Sequence, residues 1–335
     1  MFEHERVVVR KGSRSGLPVI VAIHSTGERG AAGGCRMRRY PDWRDGLEDA
    51  LRLAEAMTYK FAAVGRPYGG GKSVIAAPEG VEFDRRAALE DLADLIEELG
   101  GAYSTAPDVG TTPEDMVIIK GITDHVYCLP EEHGGAGSSS RPTAIGVYAA
   151  LKAAARHVFG DDTLAGRRIV IIGLGSVGGP LAESLAAEGA QLLVGDVDEG
   201  KRALADRLGA TWVEEGVPPA DIFVPAAVGG VLSPESVAKL EVPLVVGPAN
   251  NQLTEPSVAD LLAERGIVWV PDFVASAGGV IYVPAREVEG LDHEAALAEV
   301  RRIGDSVTRI LQTADREGVT PLEAAMAVAR ANMRG

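Results

Sequence analysis

Length, composition and charge narrow the class of protein before any motif is considered. The chain has 335 residues, enough for two domains of ordinary size, and its 46% hydrophobic and 24% charged residues are typical of a globular protein. A formal net charge of −15 disfavours a nucleic-acid partner, and two cysteines without metal-site spacing predict neither a disulfide framework nor a bound metal.

The start of the chain shows no targeting or membrane pattern. Charges are scattered through residues 1–16, which lack the apolar run of a signal peptide. No segment reaches the roughly 18 consecutive apolar residues of a membrane span. We therefore expect a reduced, cytoplasmic protein without a membrane partner.

The first part of the chain mixes strands with helices. Apolar, β-branched runs predict strands at 7–9 and 17–25, and "SVIAA" predicts a short third strand. Amphipathic stretches predict helices over 45–64, 85–99 and 113–122. A Gly/Ser tract at 133–140 resists fixed structure and is the best candidate for a linker between two domains.

The second part alternates strands with helices. After an Ala-rich helix predicted over 142–157, helical stretches at 177–188 and 257–265 lie among five short apolar runs, "RIVIIG", "QLLVGDV", "DIFVPAA", "PLVVG" and "IVWVP". Continuously apolar strands are typical of a parallel sheet buried on both faces, so this part predicts a doubly wound α/β domain. The end of the chain is largely helical, and we expect its last helix to fold back on the first domain.

The stretch "PYGGGKSVI", residues 67–75, looks at first like a phosphate-binding loop. That pattern requires glycine where this chain has Arg66, and it joins a strand to a following helix. Here a predicted helix precedes the glycines and a predicted strand follows them. The stretch is therefore not a P-loop, and we expect its glycines to let a small substrate approach the backbone.

A second glycine motif, "GLGSVGG", places Gly173, Gly175 and Gly178 in the G-x-G-x-x-G spacing. The motif follows a predicted strand, opens a predicted helix and is followed by Asp196 at the end of the next strand. In this context it predicts dinucleotide binding, with the pyrophosphate at the helix N-terminus. Asp196 would bind the ribose hydroxyls and repel a 2′-phosphate, so NAD is expected rather than NADP.

Three ionisable residues of the first part are candidates for chemistry. Lys60 and Lys72 lie in unusually apolar, glycine-rich settings, where burial lowers the pKa of a lysine towards the range useful for proton transfer. Asp108 precedes the helix predicted from Pro113, but Thr111 or Thr112 is better placed to cap that helix. Asp108 is thus available for acid–base chemistry.

Beyond single motifs, the chain resembles the Glu/Leu/Phe/Val amino-acid dehydrogenase family, nearest to its leucine, valine and phenylalanine branch. The matching segments, in family order, are "GGCRM", "LEDALRLAEAMTYKFAA", "GGGKSVI", "TAPDVGTTPEDM", "TAIGVYAALKAAA", "GLGSVGG", "GGVLSPESV", "GPANNQLTE" and "PDFVASAGGVI". The resemblance implies a substrate-binding and oligomerisation domain (1–138 plus about 308–335) and a Rossmann-type NAD-binding domain (139–307). It also implies an active site in the cleft between them and a homo-oligomer.

The resemblance assigns roles to individual residues. Lys60 matches the lysine that binds the substrate α-carboxylate, Lys72 the lysine that polarises the carbonyl and the attacking water, and Asp108 the general acid–base. The other residues that it implies bind substrate are Gly33, Gly34, Ala106, Asn250, Val280 and Val283. Cofactor binding is expected from Thr143, Gly173, Gly175, Ser176, Val177, Gly178, Asp196, Ala227 and Asn250.

Two positions depart from the family pattern, and others bear on specificity. Ser276 and Tyr282 stand where the family usually has asparagine, and Tyr282 is expected either to intrude on the cleft or to pack between domains. Val280 and Val283 keep a branched aliphatic lining, while Ala32 replaces a larger residue and should enlarge the pocket.

The predicted function is NAD-dependent oxidative deamination of a branched-chain L-amino acid, such as leucine or valine, to the 2-oxo acid and ammonia, together with the reverse reaction. The first alternative is the same chemistry on an aromatic or unusual amino acid. The second is a catalytically silent sensor that binds NAD or an amino acid, although such a sensor would not need Asp108.

Overall fold

The computed structural model describes residues 3–333 and divides them by packing into two units. The first unit comprises the chain up to Ser138, Val283–Leu291 and the segment from Ala329; the second comprises Ser139–Tyr282 and Asp292–Val328. No helix within residues 3–333 is both long enough and apolar enough to cross a bilayer.

The first unit is built on a mixed sheet. Its elements are β1 (Arg6–Lys11), β2 (Pro18–Ile23), β3 (Ala31–Tyr40), α1 (Trp43–Ala63), β4 (Gly69–Pro78), α2 (Arg85–Glu98), β5 (Tyr103–Pro107) and α3 (Pro113–Lys120). Among the described residues, five strands lie in the order β1-β2-β4-β3-β5, with β3 parallel to both β4 and β5 and the other pairs antiparallel.

Helix starts in this unit follow from local sequence. Asp42 caps α1 and forms a capping box with Asp45. Thr112 caps α3 and forms a second box with Asp115, so the threonine cap predicted ahead of Pro113 is confirmed. Helix α1 packs on one face of the sheet, whereas α2 and α3 cover the other face with the larger apolar core.

Two later segments belong to the first unit because their polar side chains bind its backbone. Glu287 accepts hydrogen bonds from the N–H groups of Cys128 (2.9 Å) and Ala136 (2.6 Å), and burial raises its pKa. Near the end of the chain, the Asn332 amide donates to the Ala62 carbonyl at the end of α1 (2.8 Å).

The second unit is a doubly wound domain. Its elements are α4 (Ser140–Phe159), β6 (Arg168–Ile172), α5 (Gly178–Glu188), β7 (Gln191–Gly195), α6 (Arg202–Arg207), β8 (Thr211–Trp212), β9 (Ile222–Pro225), α7 (Pro234–Lys239), β10 (Leu244–Val245), α8 (Val258–Glu264), β11 (Val268–Trp269), α9 (Asp272–Ala275), α10 (Gly278–Glu287), α11 (His293–Arg301), α12 (Ile303–Glu317) and α13 (Pro321–Asn332). Helices α10 and α13 begin in this unit and end in the first.

Within the described residues, the six strands of this sheet are all parallel and lie in the order β8-β7-β6-β9-β10-β11. This is the strand order of dinucleotide-binding sheets. Successive strands are added outward on one side of β6 up to β8, and then on its other side from β9 to β11. The predicted doubly wound fold is confirmed. The short edge strand β8 carries no apolar run long enough to have been predicted.

The end of the chain differs from the expectation that 308–335 joins the first domain. Residues 308–328 lie in the second unit because α12 packs along α4 through a strongly apolar face. Gly146 of α4 makes room for this contact, since a Cβ there would lie 2.6 Å from the Ile303 side chain. From residue 329 onward the chain belongs to the first unit.

Candidate active site

A buried ion pair lies in the first unit where β4 and the end of β5 come close to β3. Lys72 of β4 is only 4% exposed, and its Nζ lies 3.0 Å from Oδ2 of Asp108, which directly follows β5. Strands β3, β4 and β5 are neighbours in the sheet, so residues 36 positions apart in sequence meet. Two of the sequence-predicted catalytic residues are thus in direct contact.

Two of the predicted substrate-binding residues lie beside this pair. In the β3–β5 register Gly34 pairs with Ala106, two residues before Asp108. A Cβ on Gly34 would lie 2.7 Å from the Asp108 Cβ and 3.3 Å from Lys72 Nζ. Glycine at this position therefore lets the Asp108 side chain and the Lys72 ammonium lie close against β3.

The other glycines of these strands serve packing, which differs from the expectation for "PYGGGKSVI". A Cβ on Gly33 would lie 1.8 Å from the Gly71 carbonyl oxygen, and one on Gly71 would lie 2.5 Å from the Tyr103 ring. A Cβ on Gly70 would lie 2.1 Å from the Thr58 backbone nitrogen of α1. The protein itself occupies these spaces, and of this set only Gly34 adjoins the ion pair.

Arg36 is a component of the site that the sequence prediction missed. Its Nε donates to Oδ2 of Asp108 (2.9 Å), and its Nη1 donates to Oδ2 of Asp49 on α1 (2.9 Å). Only 14% of its side chain is exposed. The signal was present in "GGCRM", because an arginine in a largely buried strand needs an internal partner.

Burial and neighbouring charges shift the pKa values of both members of the ion pair. Burial lowers the pKa of the Lys72 ammonium; Asp108 opposes this shift, and the positive charge of Arg36 adds to it. Burial alone would raise the pKa of Asp108, but the charges of Lys72 and Arg36 outweigh it and hold that pKa below the usual range. A neighbouring thiol does not compete for protons, because burial raises the pKa of Cys35 to about 12.

Lys60 lies in the last turn of α1 and is half-buried. Two residues earlier on α1, the Thr58 hydroxyl accepts a hydrogen bond from the Gly70 backbone N–H of β4 (3.1 Å). The end of α1 that carries Lys60 is therefore bonded directly to the strand that carries Lys72.

The glycine motif of the second unit fits a dinucleotide. Gly173, at the end of β6, has a φ of +110°, and a Cβ there would lie 2.6 Å from the backbone of Ala226 and Ala227 after β9. A Cβ on Gly178 would lie 2.0 Å from the Gly173 carbonyl oxygen, so this glycine lets α5 approach the turn. Gly175 is different, because it is exposed and no described atom beyond its chain neighbours lies within 4 Å of its added Cβ. That open position is where a pyrophosphate could approach the backbone.

Asp196 follows β7 and supports the glycine turn directly. Its Oδ2 accepts a hydrogen bond from the Leu174 N–H (2.6 Å), and its Oδ1 accepts one from the Asp198 N–H (2.9 Å). The carboxylate is half-buried. It thus has a structural role in the turn in addition to the ribose contact expected from the sequence.

The remaining residues expected to bind cofactor belong to the second unit. Ser176 and Ala227 are exposed and Val177 is half-buried, all in the turns that follow β6 and β9. Thr143 is half-buried in the first turn of α4, where its hydroxyl donates to the Ser139 carbonyl (2.9 Å).

Asn250 is exposed on a loop after β10 that a buried glutamine shapes. The Gln252 amide donates to the carbonyls of Gly247 (2.8 Å) and Ala249 (3.0 Å), and its Oε1 accepts from the Trp269 indole (2.9 Å). Both N–H donors of this amide, and its oxygen, are thus bonded inside the protein. The buried Gln252 side chain therefore holds the conformation of the loop that carries Asn250.

Comparison with known proteins decides the family. The profile of the Glu/Leu/Phe/Val dehydrogenase dimerisation domain matches residues 2–125, and that of glutamate/leucine/phenylalanine/valine dehydrogenase matches residues 202–333. The phenylalanine dehydrogenase of Bacillus thermotolerans is 40% identical over 335 residues, covering 97% of this chain and 87% of that one. The chain belongs to the Glu/Leu/Phe/Val dehydrogenase family.

Other members with different substrates in their names are similarly close. The leucine dehydrogenase of Geobacillus stearothermophilus is 40% identical over 329 residues, covering 97% of this chain and 89% of that one. The crystal structure of L-tryptophan dehydrogenase from Nostoc punctiforme matches with a TM-score of 0.83 and 34% identity, over 99% of this chain and 96% of that one. The chain is thus an amino-acid dehydrogenase, an oxidoreductase acting on a CH–NH₂ group, in a family that uses NAD or NADP.

The two departures from the dehydrogenase pattern have different surroundings. The Tyr282 ring is buried, and its hydroxyl shares a 2.7 Å hydrogen bond with Nδ1 of His293 within the second unit. The Ser276 hydroxyl is buried and has no hydrogen-bond partner within residues 3–333. Of the expected pocket valines, Val280 is half-buried in the second unit and Val283 is buried in the first.

Proposed function

We propose that this dehydrogenase catalyses the NAD-dependent oxidative deamination of a branched-chain aliphatic L-amino acid to its 2-oxo acid and ammonia, and the reverse reaction. The observation that carries the proposal is the 3.0 Å contact between buried Lys72 and Asp108, which lie against β3 at Gly34. A lysine and a carboxylate in contact, both with displaced pKa values, are suited to move a proton and to stabilise a developing negative charge.

In this proposal each ionisable residue has one task. Lys60 binds the substrate α-carboxylate, for which its place in the last turn of α1, next to β4, is suitable. Lys72 keeps a positive charge near the oxygen that becomes the carbonyl. Asp108 takes a proton from the attacking water and returns it to the leaving amine. Because Lys72 and Asp108 interact strongly, their protonation steps are expected to be coupled.

NAD is proposed as the cofactor, bound at the turn after β6. When bound, NAD accepts the two electrons and the hydrogen that leave the substrate Cα. Gly173 and Gly178 keep the turn and α5 close together, and Gly175 leaves the backbone approachable. Asp196, at the end of β7, has the position and the charge to favour ribose hydroxyls over a 2′-phosphate.

Substrate choice rests on the side chains expected to line the pocket. Ala106 lies next to Gly34 in the β3–β5 register, and Val280 and Val283 are branched and aliphatic, which supports leucine or valine. Ala32 leaves more room than a larger residue would. An aromatic amino acid is the second candidate, supported by the similar identity to a phenylalanine dehydrogenase and by the tryptophan dehydrogenase structure.

Oligomerisation through the first unit completes the proposal. Its support is the description of the profile that matches residues 2–125 as a dimerisation domain. Light scattering of the purified protein would give the number of subunits directly. A monomer at assay concentration would refute this part of the proposal alone.

A substrate screen tests the function. NAD reduction would be followed with a panel of aliphatic and aromatic L-amino acids, and ammonia-dependent NADH oxidation with the matching 2-oxo acids. We expect the highest kcat/KM with leucine or valine, and higher kcat/KM with phenylalanine or tryptophan would refute the substrate preference. Intact NAD binding without turnover in either direction would instead indicate a silent sensor.

A further inference from the structure

Asp108 is held at one of its two carboxylate oxygens. Lys72 Nζ (3.0 Å) and Arg36 Nε (2.9 Å) both contact Oδ2. Within residues 3–333, Oδ1 accepts no hydrogen bond from the protein. The two oxygens are therefore not equivalent, because one is fixed by two cations and the other remains available to a ligand.

The fixing cation Arg36 is itself anchored from the other side. Its Nη1 binds Asp49 on α1 (2.9 Å), and Asp49 also accepts hydrogen bonds from the Tyr40 hydroxyl (2.9 Å) and Arg52 (2.8 Å). The guanidinium is planar and rigid, so two carboxylates on separate nitrogens determine its orientation. A lysine at this position could not make both contacts in a fixed geometry.

Arg36 is not needed to hold the backbone that carries Asp108. The Thr111 hydroxyl accepts from the Asp108 N–H (2.9 Å) and donates to the Cys35 carbonyl (2.7 Å). The Met37 N–H donates to the Val109 carbonyl (3.0 Å). These bonds fix the loop to β3 without the guanidinium, so what Arg36 adds is the orientation and charge state of the Asp108 side chain.

We propose that Arg36 is a positioning residue for Asp108, which it holds by Oδ2 so that Oδ1 exchanges the proton with substrate and water. The inference rests on the proposed function and deepens it. As water adds to the imino carbon, a C–O bond forms, the π electron pair of the C=N bond moves to nitrogen, and one water proton passes to Oδ1. Oδ1 then returns the proton to the amino nitrogen, the C–N bond breaks with its electron pair going to nitrogen, and the hydroxyl proton passes to the ionised Oδ1 as the C=O double bond forms.

The charged groups around Asp108 set the expected pH behaviour. Lys72 on β4 and Arg36 on β3 contact it, Asp49 on α1 lies beyond Arg36, and the Cys35 thiol stays neutral. Removal of the Arg36 charge raises the pKa of Asp108, which must be ionised to accept the proton. The acid limb of kcat/KM for deamination should then move to higher pH, by about 1–3 pH units for loss of an adjacent cation.

The test compares Arg36→Met with Arg36→Lys in the full-length enzyme. We expect Arg36→Met to lower kcat by about tenfold to a hundredfold, the usual effect of a misplaced catalytic group, and to shift the acid limb upward. Arg36→Lys keeps the positive charge but loses the planar guanidinium that bonds two carboxylates at once. It should therefore lower kcat, while the acid limb of its pH profile stays near that of wild type. Arg14→Met, at an exposed arginine paired with Asp94 in the same unit, is the matched control and should leave both quantities unchanged.

The outcomes separate this inference from the proposed function. Wild-type kcat and pH profile in both Arg36 variants, together with an inactive Asp108→Asn, would overturn the positioning role and leave the acid–base role intact. Full turnover in Asp108→Asn would overturn both. If the Arg36 variants unfold, Asp49→Leu replaces them: it removes the acceptor that holds the guanidinium and also a negative charge, so kcat should fall without an upward shift of the acid limb. Unchanged kcat in that variant would also refute the inference.

Discussion

Gly175→Ala separates a glycine needed by a ligand from glycines needed by the fold. Gly175 is the middle glycine of the motif after β6, and its φ is not among the positive values that strain an alanine. No described atom beyond its chain neighbours lies within 4 Å of an added Cβ. The folded protein can therefore accept the methyl group, whereas a pyrophosphate close to this backbone cannot.

Gly175→Ala is expected to change folding stability and NADH affinity in opposite directions. Gly→Ala at a compatible φ stabilises a protein by about 0.4–1 kcal/mol, because the unfolded chain loses conformational freedom. Insertion of a methyl group into a close contact costs about 1–3 kcal/mol, which would weaken NADH binding by about 5-fold to 150-fold. Gly178→Ala provides the contrast: its Cβ would lie 2.0 Å from the Gly173 oxygen, so α5 would have to move by 3.4 − 2.0 = 1.4 Å to reach ordinary contact.

Two measurements on the same samples decide this prediction. Titration of NADH fluorescence gives the dissociation constant, and thermal unfolding without cofactor gives Tm. We expect Gly175→Ala to lose affinity at an equal or higher Tm, and Gly178→Ala to lower Tm. Wild-type NADH affinity in Gly175→Ala would show that the pyrophosphate does not approach this turn, and the cofactor site would have to lie elsewhere.

Three other substitutions test separate features. Asp196→Ala should weaken NAD binding and raise the ratio of NADP to NAD kcat/KM by about tenfold or more, as expected for loss of a charged hydrogen bond; an unchanged ratio would remove Asp196 from the ribose site. Gly70→Ala should lower Tm and raise the KM for the amino acid, because its Cβ would lie 2.1 Å from Thr58 and would displace the end of α1 that carries Lys60. A wild-type KM in this variant would contradict a role for that helix end in substrate binding. Asp91→Asn should lower the free energy of unfolding at pH 7 by about 1–3 kcal/mol. Burial would raise the pKa of Asp91, but hydrogen bonds from Ser15 and Arg14 hold it low. The difference in unfolding free energy between wild type and variant, measured by urea unfolding, should therefore shrink below about pH 4. A difference that stays constant with pH would refute this role of the Asp91 charge.

Much of the second unit could be predicted from local patterns. Its inner strands are continuous apolar runs, and the glycines of the turn after β6 have fixed spacing, so short-range sequence determines both. Strand β8, Thr211–Trp212, was missed because no continuous apolar run surrounds it, whereas the equally short edge strand β11 lies within the apolar run "IVWVP". The part of α12 from residue 308 was assigned to the first domain because its amphipathic face shows that it packs, but does not show against which partner.

One part of the candidate site could not be predicted from the sequence. Lys72 and Asp108 could be named as candidates for chemistry from their unusual apolar settings and from the family resemblance, and the structure brings them into contact. For Arg36, "GGCRM" signals only that an internal partner is needed; its proposed role could not be inferred, because it depends on carboxylates 13 and 72 positions away that meet it only in the folded protein. Long-range contacts of this kind are properties of strand order, which residue spacing does not encode.

The run "PYGGGKSVI" illustrates how packing and chemistry are connected in this enzyme. Its glycines have protein atoms where a side chain would stand, namely the α1 backbone beside Gly70 and the Tyr103 ring beside Gly71. They allow α1 to lie against β4 closely enough for the Gly70 N–H to bond the Thr58 hydroxyl, two residues before Lys60. Lys72 follows on the same strand, so one helix–strand contact sets the positions of both proposed catalytic lysines. A larger residue in this run would thus alter substrate binding by displacing a helix rather than by filling a pocket.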